Sequence, residues 1–406
     1  MTMFSARLAG FAIRLIPICG ASVSGFTIAH IGALGSAVFL FWLNRKLIVF
    51  AVFLMILLGL KFLTDQPDTF FEWGKSAALF GTNMLVLFGV TLVAKSPRAG
   101  LLDRALVIGW RDFLITAFAL HGVFLVGQYV AFEYLGSFAL LNPLQGFSPP
   151  GPDPSSSEVL PYNPLYQVVK RPNGLAWEPS VAALWQLCGL ALLLAQPHGV
   201  RWRNAKLLAI LAGTLATQSV LGDIMMVAML VHHLMMGHAS GLLRAIFLYP
   251  VALITGVASF GLLASLLGFS ARLAELSVPG TSGYLRYLAP LQLLEERGLS
   301  LFGSERLGER SFRFHPLFEG LDSQLSGISN LYFEVALYFG AAGIVLLATL
   351  LLRLLLQQWR YPAIVVLLLM FPLFGGYLFN TLGFYPLFSV MLVQSILARP
   401  AVNALA

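Results

Sequence analysis

Leu47-Ile-Val-Phe-Ala-Val-Phe-Leu-Met-Ile-Leu-Leu-Gly-Leu-Lys61-Phe-Leu63 carries one charged residue in a run of seventeen and no proline. A helix crosses the hydrocarbon of a bilayer with about 20 apolar residues, range about 17–25, and lipid satisfies no open backbone group, which favours helices. Comparable runs lie near 8–24, 26–43, 77–95, 113–137, 180–196, 205–219, 221–237, 244–267, 331–357, 362–378 and 383–397. With 47–63 they number twelve. The first run carries Arg14 and Pro17, and the pair around Gln218 to Gly222 reads as one long span or two short ones, so the expected count is 11 to 12. Composition agrees: 58% of the 406 residues are apolar and 11% charged, against about 45–50% and about 25% in soluble domains. A water-soluble globule, a disordered chain and a nucleic-acid module are excluded. Cys19 and Cys188 both sit in apolar runs and form neither a disulfide framework nor a cysteine metal site.

Charge orients the spans. Arg7, Arg45, Lys46, Lys95, Arg98, Arg104, Arg111, Arg201, Arg203, Lys206, Arg244, Arg353, Arg360 and Arg399 all fall on one side of this layout, accompanied by two acidic residues, Asp103 and Asp112. Basic loops mark the cytoplasm, so both termini are expected there. The first run lacks a small-residue cleavage site and is read as a retained span.

Two opposite-side loops exceed turn length, 138–179 and 269–330; loops of this size are usually functional or disordered. The first opens on NPLQGFSPPGPDPSSSEVLPYNP, which holds 7 of the 21 prolines, and closes on YQVVKRPNGLAWEPS, running straight into a span. The second contains Tyr284 to Leu294, apolar at Leu285, Leu288, Leu291 and Leu294, the spacing of an amphipathic helix suited to the outer interface. The expected organisation is 1–137, a bundle of five spans; 138–179, a periplasmic loop; 180–268, central spans; 269–330, a second periplasmic loop; and 331–406, the closing spans.

No Walker loop, GxGxxG, HExxH or GxSxG motif occurs. His232, His233 and His238 lack the spacing for a tetrahedral metal site and read as interfacial histidines. Chemistry concentrates instead in the two outer loops. Lys170 and Arg171 precede a Pro-Asn-Gly turn, and Glu178 precedes Pro179, a residue suited to a first helical turn. An acidic residue there is also favoured by the helix dipole alone, by about 0.3–1 kcal/mol. An enzyme on the side away from ATP needs an energised substrate supplied in the membrane. Departure of a lipid diphosphate develops negative charge, which fixed cations stabilise in the transition state; arginine suits this because its planar fork binds phosphate oxygens bidentately. The second loop offers Arg286, Arg297, Arg306, Arg310 and Arg313. An attacking sugar hydroxyl needs a base, for which Glu178 and His315 are the choices.

Three segments resemble the bacterial O-antigen polymerase and O-antigen ligase family. They are Arg171-Pro-Asn-Gly174-Leu-Ala-Trp177-Glu178-Pro179-Ser180; Ser282-Gly283-Tyr284-Leu285-Arg286 with the following LAPLQLLEERGLSLFGSERLG, an arginine-bearing helix leading to a Phe-Gly turn; and Gly327-Ile-Ser-Asn330-Leu-Tyr332-Phe-Glu334 with the glycines of VALYFGAAGIV. The resemblance implies an all-α polytopic, GT-C-like membrane protein of the bacterial inner membrane. It implies inverting, metal-independent transfer from an undecaprenyl-diphosphate-linked oligosaccharide, with no cofactor. Arg171 and Arg286 match the motif arginines that hold the diphosphate, with Lys170 assisting; Glu178 matches the motif glutamate. Trp177, Tyr284, Tyr332 and Asn330 are candidate sugar contacts, although aromatics also form interfacial belts. Where ligases carry a histidine before the asparagine this chain has Ser329, which favours polymerase over ligase. The turn Thr217 to Gly222 lacks the arginine the family often places there.

The expected function is thus a polysaccharide polymerase, for O-antigen or exopolysaccharide, working beside a flippase and a chain-length regulator. The alternatives are a ligase transferring the polymer to a lipid A-core acceptor, and a lipid-linked oligosaccharide flippase. Transport calls for ionisable residues at mid-span; those in the runs, Arg14, Lys61, His121, Glu133, Asp223 and Glu334, mostly lie near predicted ends. Asp223 either faces the cavity or caps its short helix.

Overall fold

A computed structural model describes residues 2–135, 172–236, 278, 282–307, 330–373 and 381–398, apart from 20, 21, 24, 25, 68, 69, 94, 173, 177, 178 and 197. The described chain is helical but for short 3-10 turns and a hairpin of two-residue strands, β1 (Ser22–Val23) and β2 (Phe26–Thr27), paired antiparallel with Ser22 opposite Thr27. The helices are α1 (Thr2–Arg14), α2 (Ile28–Leu43), α3 (Leu47–Asp65), α4 (Phe70–Val93), α5 (Arg104–Glu133), α6 (Pro179–Ala195), α7 (Arg203–Ala216), α8 (Val220–Met236), α9 (Ser282–Arg297), α10 (Leu331–Gln358), α11 (Pro362–Met370) and α12 (Thr381–Leu397). Among the described residues, four helices are long and apolar enough to cross a membrane: Leu47–Asp65, Phe70–Val93, Arg104–Ala131 and Leu331–Gln358. Ile28–Leu43, Pro179–Ala195, Val220–Leu234, Pro362–Leu373 and Phe384–Leu397 are apolar but shorter. The run 244–267 lies outside the described residues.

Local chemistry sets the helix ends. Asp103 caps α5 by accepting the Ala105 N–H at 2.9 Å, so the helix starts nine residues before the apolar run read at 113. Asn330 caps α10 in the same way, accepting from Tyr332 N at 3.0 Å. The first expected span, 8–24, is not one continuous helix: α1 stops at Arg14, a 3-10 turn follows over Ile16–Ile18, and Ser22–Val23 is the first strand of the hairpin. Pro17 has no N–H to offer the helix ladder and ends it. The pair around Gln218 resolves into two helices, with Gln218 at φ +52 between them. At the start of α8 Ser219 Oγ accepts the Gly222 N–H at 3.3 Å. The end of α2 is closed from far along the chain: Ser96 Oγ donates to Leu43 O and Arg98 Nη1 to Trp42 O, each at 2.6 Å.

Burial separates the centre from the lipid-facing rim. In α6 every residue from Ser180 to Leu194 is buried, as expected of a helix apolar on all sides, and it packs against α5, α7, α8, α11 and α12. Helix α3 lies at the rim, with Val49, Met55 and Leu63 exposed. Its polar pair, Lys61 and Asp65, faces inward and is buried. The centre of the bundle is therefore the helix that follows the first motif directly.

Candidate active site

The first motif is anchored by its backbone. Gly174 has φ +60, a left-handed conformation that glycine alone adopts without strain. Its N–H donates to Gln128 Oε1 at 2.8 Å, and the next N–H, of Leu175, donates to His121 Nε2 at 3.0 Å. The side-chain amide of Gln186, on α6, lies 2.8 Å from His121 Nδ1. A Cβ at position 174 would overlap His121 Nε2, so the turn admits only glycine for reasons of space as well. Trp185 sits against the imidazole, ring centroids 5.3 Å apart. Below Leu175 a cavity of about 270 Å³ is lined by Pro17, Phe113, Phe118, His121, Phe124 and Trp185, among others. Leu120 on its wall is 65% exposed, so the cavity opens on the outer flank of α5. Lys170, Arg171, Trp177 and Glu178 lie outside the described residues; in sequence Glu178 directly precedes Pro179, the first residue of α6.

The second and third motifs meet. Helix α9 carries Arg286 in its second turn, although the side chain of Arg286 is outside the described part. Tyr284 is buried and donates to Gln292 Oε1 at 2.9 Å. Past Gly298 the chain runs into a break in α10 at Gly340, where φ +57 and ψ −148 interrupt the helix. Ala341 N–H donates to Ser300 O at 3.0 Å, Ala342 N–H to Leu301 O at 3.1 Å, and Glu305 N–H to Leu337 O at 3.0 Å. The Phe-Gly turn of the second motif thus supplies the backbone partners that the break in the third motif takes from the helix. Gly303 abuts Leu337 and Tyr338, so neither glycine has room for a side chain.

A chain of charges fastens this insertion to α3. Lys61 Nζ lies 2.7 Å from Asp65 and donates to Glu305 O at 2.8 Å. Asp65 Oδ2 accepts from Trp73 Nε1 at 3.1 Å and from Leu307 N at 2.9 Å. The Glu305 carboxylate pairs with Arg297, at the end of α9. Within this chain each carboxylate has a cation and each cation an oxygen, the condition under which such groups are tolerated inside a protein.

The short helix α11 is the common support of the three motifs. Tyr287 of α9 donates to Leu373 O, just beyond α11, at 3.1 Å. Tyr332 of the third motif, 37% exposed, donates to Leu369 O at 3.1 Å. The helix that follows the first motif, α6, packs on α11 directly. Asn330 is buried, with its Oδ1 committed to the cap of α10. Outside the described residues lies His315.

A family model described as WcaD colanic acid polymerase matches residues 22–400, which contain all three motifs. The chain belongs to the WcaD colanic acid polymerase family. No curated protein matches it. Membership in the WcaD family makes it a polysaccharide polymerase of the glycosyltransferase type, consistent with the resemblance in its motifs. Sequence reasoning on this WcaD-family chain noted Lys61 and His121 as ionisable residues within apolar runs but gave neither a partner. Gln128 and Gln186 went unnoticed. The available signal was a polar side chain seven residues after His121, on the same face of an otherwise apolar helix.

Proposed function

We propose that this membrane polymerase joins undecaprenyl-diphosphate-linked oligosaccharide repeat units on the periplasmic side of the bacterial inner membrane. A hydroxyl of one repeat unit attacks the anomeric carbon of the sugar at the reducing end of the growing chain, with inversion and without a metal. The new bond is carbon to hydroxyl oxygen; the bond broken joins that carbon to the diphosphate, which leaves on its lipid. Arg171 and Arg286, assisted by Lys170, neutralise the charge that develops on the diphosphate, and Glu178 or His315 takes the hydroxyl proton. Trp177 and Tyr332 form the sugar-facing surface, with the buried Tyr284 bracing α9 through Gln292 and Asn330 holding the start of α10.

The observation that carries this reading is the family match over the segment in which α11 supports all three motif-bearing elements. The cavity below Leu175 adds a lipid-side feature: an apolar space opening on the flank of α5 takes the first isoprene units of the carrier while the diphosphate stays with the motif. The span layout belongs to the same proposal, with about 12 crossings, both termini cytoplasmic, the loops 138–179 and 269–330 periplasmic, and a GT-C-like arrangement of helices. A flippase and a chain-length regulator complete the pathway around it.

Deletion of the gene in its host, followed by gel analysis of lipid-linked and surface glycans, tests the function. Loss of long chains with single repeat units still reaching the final acceptor is the expected result. Long polymer retained on the carrier lipid would make the protein a ligase, and single units trapped facing the cytoplasm would make it a flippase.

A further inference from the structure

We infer that His121 is a positioning residue for the polymerase reaction: a neutral imidazole with its proton on Nδ1, whose Nε2 holds the Gly174–Leu175 turn and thereby places the charged residues flanking that turn. The inference rests on the reading of the first motif proposed above.

The protonation state follows from the partners. A backbone N–H is always a donor, so the contact from Leu175 N at 3.0 Å requires a bare lone pair on Nε2. A neutral ring then carries its proton on Nδ1. The group 2.8 Å from Nδ1 is the amide of Gln186, which must present its oxygen there, since an amide N–H facing Nδ1 would leave the ring with no proton at all. Amide orientation is assigned by such networks. Gln186 therefore selects the tautomer, and the tautomer makes Nε2 an acceptor. Gln128 extends the device by two helical turns along α5, accepting the Gly174 N–H. His121 is 6% exposed and both glutamines are 0% exposed, so water does not substitute for any member.

Gln128 and His121 hold the turn through its backbone, at the N–H groups of Gly174 and Leu175. Arg171 precedes Gly174 by three residues and Glu178 follows it by four, and each residue spans at most about 3.3–3.6 Å. The place of the turn therefore sets the region that both residues can reach. Misplacement of a reacting group by about 1 Å can cost about 10²-fold in rate. The glycine has no alternative seat, because a Cβ would strike the same nitrogen that holds it.

The test compares two replacements of similar size. His121→Gln offers an amide oxygen where Nε2 stood, whereas His121→Leu offers no acceptor. Polymer formation is followed with single lipid-linked repeat units isolated from the deletion strain and purified full-length protein in detergent. The expected result for His121→Leu is a fall in kcat of about 10²-fold, with KM for the lipid-linked unit within about twofold. His121→Gln is expected to recover most of that loss. Equal loss in both variants, or wild-type kcat in His121→Leu, would overturn the proposal. Gln128→Glu and Gln128→Leu repeat the comparison at the other anchor, and the same pattern is required of them.

A second readout is independent of activity. In protein labelled with 15N-histidine, the His121 signals, assigned by their loss in His121→Gln among the seven histidines, should report an unprotonated Nε2 and a protonated Nδ1. A proton on Nε2 would refute the clamp. Arg171→Ala separates the two layers of the argument. Full activity in that variant would remove the motif reading, while an inactive Arg171→Ala beside a fully active His121→Leu would refute the positioning role alone.

Discussion

Replacing Gly340 with alanine should be among the most damaging single-methyl changes in the protein. At φ +57 and ψ −148 the backbone occupies a region essentially restricted to glycine, and a side chain there costs about 1–3 kcal/mol in strain. The added Cβ would also overlap the carbonyl oxygen of Ser300 and come within 2.5 Å of Gly303 N. Those atoms belong to the inserted segment, so relief requires backing that segment out of the break. Three hydrogen bonds join the segment to α10, from Ala341, Ala342 and Glu305, each worth about 0.5–1.5 kcal/mol net. Strain and lost bonds together come to roughly 2.5–7.5 kcal/mol. Gly59→Ala is the matched control: it lies on the exposed side of α3 with nothing near its Cβ position, and glycine-to-alanine in an open helix gains up to about 1 kcal/mol. Thermal unfolding of the purified variants in one detergent compares them. Gly340→Ala should melt well below wild type and lose polymerase activity, while Gly59→Ala melts at or above it. Equal melting of the two variants would refute the account of the insertion as a glycine-dependent joint.

Other perturbations address the charge chain, the substrate contacts and the topology. Breaking a buried ion pair from one side costs about 3–5 kcal/mol, and Asp65→Ala should cost more than Lys61→Met, because Asp65 also satisfies Trp73 and Leu307. The double variant should cost less than the sum, and additivity in a thermal double-mutant cycle would contradict the coupling. Arg171→Lys and Arg286→Lys should each lower polymer synthesis by about 10²-fold at unchanged melting temperature, since a point charge does not reproduce a bidentate fork; wild-type polymer from both would end the diphosphate assignment. Cysteines placed at Ser155 and at the exposed Ser304 should react with a membrane-impermeant reagent in intact spheroplasts. Cys19 and Cys188 are buried and give little background, and labelling only after lysis would reverse the topology.

Span-length apolar runs were legible in the sequence because hydrocarbon burial acts residue by residue. The run read at 47–63 is helical over Leu47–Asp65, and that at 331–357 over Leu331–Gln358. Helix ends followed the sequence where a cap or a proline decides them locally, as at Asn330 and Pro179, and departed from the apolar runs where polar residues extend the helix, as at Arg104. The three motif segments were recognisable as strings of residues. Their junctions were not. Gly303 meets Gly340, and Lys61 meets the Glu305 carbonyl across 244 residues, through contacts that neither partner's surroundings in sequence announce. Lys61 alone looked like a stray charge in a span, because its value lies in a partner supplied by tertiary structure. His121 was equally opaque: the group its Nε2 holds is a main-chain N–H, which every residue but proline possesses.

The distant closure of α2 bears on the order in which the protein is made. The carbonyls of Trp42 and Leu43 are bonded by Arg98 and Ser96, 56 and 53 residues later. At a synthesis rate of about 5–20 residues per second, the ribosome delivers those donors roughly 3–10 s after the helix they finish. Throughout that interval the end of α2 depends on water or on the insertion machinery, while α3 and α4 are threaded past it. The closure of α2 is therefore complete only once residue 98 has emerged, after α3 and α4 have been made.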